Sequence, residues 1–165
     1  IGTFFHDRDK IFPHVYQAWC VATVRRVFTG QHHQVLIFVG KQGRGKSYFI
    51  KWMCPLPGYH IESAINPESN DSKIRLSENW IWEIGEIGRT TRRSDIEALK
   101  LFISLENAVF RRSHDKYDQH KRPLASFLGT VNPDGAGRVI STPRRIEISG
   151  FPYRIVVVML VTVLL

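Results

Sequence analysis

Cysteine is scarce in this chain, and what there is stands apart. Cys20 and Cys54 are the only two, and neither falls in a CxxC pair. A disulfide-dense scaffold and a cysteine-based zinc ribbon are therefore excluded. Both thiols lie inside apolar stretches and read as small buried hydrophobes. Internal repeats and low-complexity tracts are absent. So is any apolar run of the roughly 20 residues that a membrane-spanning helix needs. No basic segment leads into an apolar one near the first residue, so no signal peptide is expected, and the chain reads as cytoplasmic with no membrane partner. The opening Ile1-Gly2-Thr3, without Met, reads as the start of a piece cut from a longer protein. The longest apolar run is residues 155–165 (IVVVMLVTVLL), 11 residues in all. Its valines suit a buried strand, with a truncated or frame-shifted end as the alternative.

Acid is also in short supply. Asp plus Glu number 15 against 23 Lys plus Arg, a net charge of +8. An excess of this size favours a polyanionic partner: nucleic acid, an acidic membrane surface or phosphate ligands. Apolar residues are plentiful. They make up 43% of 165 residues, enough to bury the core of one ordinary domain.

Residues 13–29 read as a helix, with Pro13 at its first position and Gly30 to stop it. Val15, Trp19 and the row Tyr16, Cys20, Val24, Phe28 form its apolar face, and Arg25 and Arg26 suit the negative end of its dipole. Residues 35–39 (VLIFV) predict a buried strand, followed by a glycine-rich turn and a helix over 46–54. Residues 58–78 read as polar and irregular, with turn signals at Asn66-Pro67 and Asn70-Asp71. Residues 80–84 predict a second strand. Ser94, with Glu97 three residues on, predicts the N-cap of a helix that carries Ile96, Leu99 and Ile103 on one face. A third strand is expected over 124–131 (LASFLGTV) and a fourth around Ile146 and Ile148. This alternation predicts an α/β fold with a mostly parallel sheet and a short N-terminal helical segment. The divisions expected are a helical segment over 1–30, a core over 31–150 and an apolar tail over 151–165.

The glycine-rich turn carries the chemistry. Gly40-Lys41-Gln42-Gly43-Arg44-Gly45-Lys46-Ser47 fits GxxxxGK[ST] at every defined position. Glycines let the backbone approach closely enough for its N–H groups to point at phosphate oxygens. Lys46 brings a compact charge to the β and γ phosphates, and Ser47 supplies a hydroxyl ligand for Mg²⁺. With a strand before it and a helix after it, the loop reads as a nucleotide site of the P-loop NTPase type. Lys41 and Arg44 add positive charge as accessories. Such a site needs acid at the end of a neighbouring strand, to hold the metal and to polarise water. The stretch WIWEIGE offers Glu83 and Glu86. Glu83 is assigned to Mg²⁺ and Glu86 to water activation, with the reverse left open.

The order GKQGRGKS, WIWEIGEI, the helix SDIEALK, FLGTVN and a paired arginine resembles the helicase-like ATPase domain of the virulence-associated protein E family. The resemblance spans residues 4–148. The phosphate loop is generic. The WxxExxE pattern followed by Glu97, Lys100, Phe102 and Ile103 is far more specific. That family occurs on phages, plasmids and pathogenicity islands, often fused to a primase, and is similar to superfamily 3 helicases of the AAA+ group. The resemblance implies ATP and Mg²⁺ as cofactors and DNA, single-stranded or forked, as partner. It implies a sensor role for Asn132, with Thr130 beside it. Arg144 or Arg145 would act in trans on the nucleotide of a neighbouring copy, in a ring-shaped homo-oligomer. The sequence departs from the family at 110–117, which lacks an Arg-Pro-Tyr-type stretch, and at Ser141-Thr142-Pro143, where Thr-Gly-Asn is usual.

Between residues 110 and 122 lie Arg111, Arg112, Lys116, Tyr117, Lys121 and Arg122, with His114 and His120. A cationic segment with an aromatic at its centre can follow a phosphate backbone and stack a base. The position agrees with the channel hairpin of superfamily 3 helicases, and a solvated surface loop is the alternative. Arg89, Arg92 and Arg93 form a second basic cluster, read as solvated or docked against a neighbour. His32-His33 has no carboxylate or cysteine near it in sequence and is not read as a metal site. The leading expectation is an ATP-hydrolysing helicase or motor domain acting in replication of a mobile genetic element. The alternative is an ATP-holding DNA-binding module with little hydrolysis. A small-molecule kinase is the weakest reading, since nothing like a lid or substrate pocket stands out.

Overall fold

The apolar runs of the chain pair as parallel strands, and the helices between them cover both faces of the resulting sheet. The structure is a computed structural model, which describes residues 12–39, 42–43, 45–85, 93–131, 145–148 and 155–158. In chain order the elements are α1 (Phe12–Thr29), β1 (Leu36–Val39), α2 (Lys46–Met53), β2 (His60–Glu62), α3 (Asn70–Glu78), β3 (Ile81–Ile84) and α4 (Arg93–Ile103). There follow β4 (Ala108–Phe110), β5 (Gln119–Lys121), β6 (Ser126–Val131), β7 (Arg145–Ile148) and β8 (Ile155–Val158). One four-stranded sheet runs in the order β1-β6-β3-β2, and every pair in it is parallel. β4 and β5 form an antiparallel hairpin, and β7 pairs antiparallel with β8.

Alternation along the strands sorts the core into two layers. On one face Ile37, Trp82, Ile84, Phe127 and Val131 pack against Leu76 of α3 and Leu99, Phe102 and Ile103 of α4. On the other, Leu36, Phe38, Ile81 and Leu128 pack against Trp19 of α1 and Ile50 of α2. A parallel sheet covered on both faces explains why β1, β3 and β6 read as nearly continuous apolar runs. The buried rings Trp82, Phe102 and Phe127 contact one another at centroid distances of 5.8–6.5 Å. Their area makes this layer the larger share of the core.

The structure corrects several sequence expectations. Residues 58–78 are not irregular. They contain β2 and α3, and the Asn70-Asp71 signal opens a helix whose N-cap, Ser69, accepts a hydrogen bond from Asp71 N at 3.2 Å. Ser94 is not an N-cap, because α4 already starts at Arg93. The apolar face of α1 does not run through Val24 and Phe28, which are exposed. The buried line is Trp19, Thr23 and Arg26. Arg26 does not simply sit at the helix end in water. It is buried, donates to Ile103 O at 3.3 and 3.4 Å, and lies 5.6 Å from the Phe127 ring. It thereby ties α1 to the end of α4, and burial pulls its pKa down to about 10. The two cysteines are only half-buried, at the edge of the α1–α2 layer. The strand expected in the apolar tail forms over β8. Among the described residues, no helix is long and apolar enough to cross a membrane.

Candidate functional site

The turn between β1 and α2 is held by two glycines in the left-handed region, Gly43 at φ 76° and Gly45 at φ 76°. A Cβ at either would meet nothing within 4 Å, so glycine is required there by backbone conformation rather than by packing. Gly45 caps α2, and its carbonyl accepts from Phe49 N at 2.8 Å. Gly45 offers no side-chain cap and no acid stands in the first turn. A helix start of this kind, with its positive end and N–H donors, suits an anion. Lys46 and Ser47 are the first two helical residues. Gln42, Gly43 and Gly45 are exposed, while Gly40, Lys41 and Arg44 lie outside the described residues.

Opposite this helix end sits a carboxylate. Glu83 is the third residue of β3 and is 0% exposed. Strand alternation puts it on the same side as Ile81, toward α2 rather than α4. Burial pushes its pKa up. The Ser47 hydroxyl pulls it down, the Glu62 carboxylate pushes it up, and His60 pulls it down. Burial lowers the Lys46 pKa, and the charge of Glu83 holds it up. Lys46, Ser47 and the β3 acid are thus electrostatic neighbours. Glu83 lies within β3, one residue before its end, inside the strand expected over 80–84.

Two groups at this site were not anticipated, because β2 was not. Glu62 is in register with Glu83 across the β2–β3 pair, and His60 with Ile81. His60 Nε2 is 3.4 Å from Glu83 Oε2. Among the described residues, His60 Nε2 and both Glu83 oxygens are buried without a well-formed hydrogen bond. The alternation His60, Ile61, Glu62 ahead of a helix was the signal that could have exposed this strand.

The buried Glu83 carboxylate faces the Ser47 hydroxyl, and these are hard oxygen donors of the kind that could hold Mg²⁺, completed by phosphates and water. Among the described residues no group of three His, Cys, Asp or Glu side chains is set to hold a metal by protein ligands alone. Glu86, Asn132 and Arg144 lie outside the described residues, and Arg145 opens β7. Thr130 is buried on β6, beside Phe38 of β1.

The basic stretch of residues 110–122 is a hairpin arm. Arg111 pairs with Asp118 at 2.8 Å, Arg112 pairs with Glu78 of α3, and Arg122 donates to Phe28 O at the end of α1. The other three candidates, Lys116, Tyr117 and Lys121, are exposed, Tyr117 at 79%. His114, near the bend, has φ 75°.

Fold and site together define a parallel α/β domain in which an uncapped helix end faces a buried acid at the rim of the sheet. A family model for the virulence-associated protein E-like domain matches residues 2–146, and the chain belongs to that family. A solved structure described as the A form apo structure of the NrS-1 C terminal region is similar at 18% identity with a TM-score of 0.47. The match covers 70% of this chain and 28% of that one, so the chain spans less than a third of that neighbour's length. No curated protein matches.

Proposed function

We propose that this chain is an ATP-binding and ATP-hydrolysing motor domain of the P-loop NTPase type, similar to superfamily 3 helicases of the AAA+ group. It acts on single-stranded or forked DNA in the replication of a mobile genetic element. One observation carries the reading: Lys46 and Ser47, at the uncapped start of α2, meet buried Glu83 at the carboxyl end of the sheet. Open parallel sheets bind ligands at that edge, where loops and helix N-termini converge. Membership of the virulence-associated protein E-like family and the exposed Lys116, Tyr117 and Lys121 support the DNA side.

In this reading the backbone N–H groups of residues 40–47 and the Lys46 ammonium hold the β and γ phosphates. Ser47 and Glu83 would hold Mg²⁺, which neutralises phosphate charge when bound. Glu86 polarises the attacking water and Asn132 orients it. Arg144 or Arg145 of a neighbouring copy reaches the γ-phosphate in a ring. Residues 31–150 form the motor core, and a primase is fused to it or associated with it. The alternative is an ATP-holding DNA-binding module with little hydrolysis.

The test is steady-state ATP hydrolysis with and without single-stranded DNA, beside Lys46→Ala. Turnover that depends on Lys46 and rises with DNA is the expected result. Lys46-dependent binding without turnover selects the module reading. Turnover that survives Lys46→Ala contradicts both.

A further inference from the structure

We infer that His60 is a positioning residue for Glu83: its Nε2–H supports one carboxylate oxygen from the neighbouring strand and leaves the other for the Ser47 side. The inference rests on the nucleotide reading above and adds to it a residue that the phosphate-loop and WxxExxE patterns do not contain.

The geometry comes from strand pairing. β2 and β3 are parallel, with His60 opposite Ile81 and Glu62 opposite Glu83. Alternation puts all four side chains on one face of the sheet. Glu62 therefore stands directly across from Glu83, and His60 reaches it on the diagonal from the amino-terminal side of the strands. Nε2 comes within 3.4 Å of Oε2, with His60 14% exposed and Glu83 not exposed at all.

The polar inventory points the same way. An unmade hydrogen bond between buried groups is costly, and each unsatisfied buried group calls for an explanation. His60 Nε2 and both Glu83 oxygens are unsatisfied among the described residues. They are also adjacent, so a small rotation of either side chain closes one bond between them. Across the strand Glu62 repels Glu83, and burial disfavours its charge. His60, Ser47 and the Lys46 ammonium oppose these effects. Ser47 and Lys46 belong to the phosphate loop and are claimed by the ligand when one binds. His60 is the support that stays in place, much as groups behind a metal ligand orient it and set its basicity.

The test uses two variants of the whole chain. His60→Phe keeps a ring of similar size without a donor, and His60→Asn keeps a donor on a shorter arm. Affinity for a fluorescent ATP analogue is measured against Mg²⁺ concentration, alongside kcat, KM and thermal unfolding. For His60→Phe we expect the half-saturating Mg²⁺ to rise about tenfold and kcat to fall by about the same factor, the size usual for a group behind a metal ligand. KM for ATP stays within about twofold, and His60→Asn recovers most of both losses. Wild-type Mg²⁺ dependence in His60→Phe overturns the inference and leaves the nucleotide reading standing. Equal losses in both variants, in step with a lowered unfolding temperature, also overturn it, because His60 would then only pack. If the wild-type chain binds no nucleotide, the reading fails and the inference fails with it. If it binds without turning over, the Mg²⁺ dependence of binding still decides.

Discussion

At the rim of the parallel sheet, among the described residues, neither oxygen of buried Glu83 has a well-formed hydrogen bond, and His60 Nε2 lies 3.4 Å from one of them. On the β4–β5 arm the reverse holds: Arg111 faces Asp118 and Arg112 faces Glu78, in the open. Exposed ion pairs form cheaply and contribute little, since water competes for both partners. Buried polar groups without partners are expensive and persist only where something offsets them. The exposed pairs of the arm thus say little about a role, and the buried carboxylate of the rim is the better guide to one. On the arm, attention moves to the groups that the pairs leave over: Lys116, Tyr117 and Lys121.

The sharpest way to break the comparison is at the helix start. Lys46→Ala is expected to lower ATP turnover by about 10²–10³-fold, the loss of a fixed charge at the transferring phosphate. Phosphate release measured at saturating ATP checks it.

Next is Glu83→Gln, which should lower turnover by about 10²-fold while making the fold more stable. Burial raises the Glu83 pKa above its ordinary 4.5. The folded chain therefore holds that proton more tightly than the unfolded chain does. The stabilisation is fully present below 4.5 and is lost as pH rises through the raised folded value. Glutamine suffers no such loss. Denaturant unfolding from pH 4.5 to 8 should show the advantage of Glu83→Gln growing with pH. A constant difference would mean that Glu83 is not held as described.

A third prediction contrasts Glu83 with a half-buried group that has a hydrogen-bond partner. His33 Nε2 lies 2.8 Å from Ser126 Oγ, yet burial and the nearby Arg26 pull its pKa from 6.5 to about 4. Here the folded chain binds the proton less tightly, so the stability present above pH 6.5 is lost as pH falls toward 4. That loss is on the order of 3 kcal/mol, and His33→Gln should flatten it in the same unfolding series.

Lys116→Ala combined with Tyr117→Ala should weaken single-stranded DNA binding about tenfold, the scale of one lost stacking contact and one lost charge. Anisotropy of a labelled oligonucleotide checks this, and thermal unfolding should be unchanged. The smallest effect is expected from Arg111→Ala, a change in stability under about 1 kcal/mol.

Much of this architecture was legible in the sequence. Continuous apolar runs marked β1, β3 and β6, and the glycine spacing marked the turn before α2. What was missed is short or two-faced. β2 is three residues long, and its two polar side chains hid it in a polar stretch. Its residues His60 and Glu62 were missed with it, because no motif contains them. On α1, Tyr16 and Cys20 of the expected stripe pack against the core, but its C-terminal half, Val24 and Phe28, points outward. The buried line instead runs through Thr23, which bonds Trp19 O at 2.7 Å, and Arg26, which finds a carbonyl and an aromatic face in the core. Hydropathy alone favours the wrong side whenever a polar residue has its partners supplied by the fold.

The central claim is that the helix start and the buried acid form one site. A crystal structure of the chain with a non-hydrolysable ATP analogue and Mg²⁺ tests it most directly. The account predicts phosphates on the N–H groups that lead into α2, with the metal between Ser47 and Glu83. A nucleotide bound elsewhere, or a metal held away from Glu83, would contradict it.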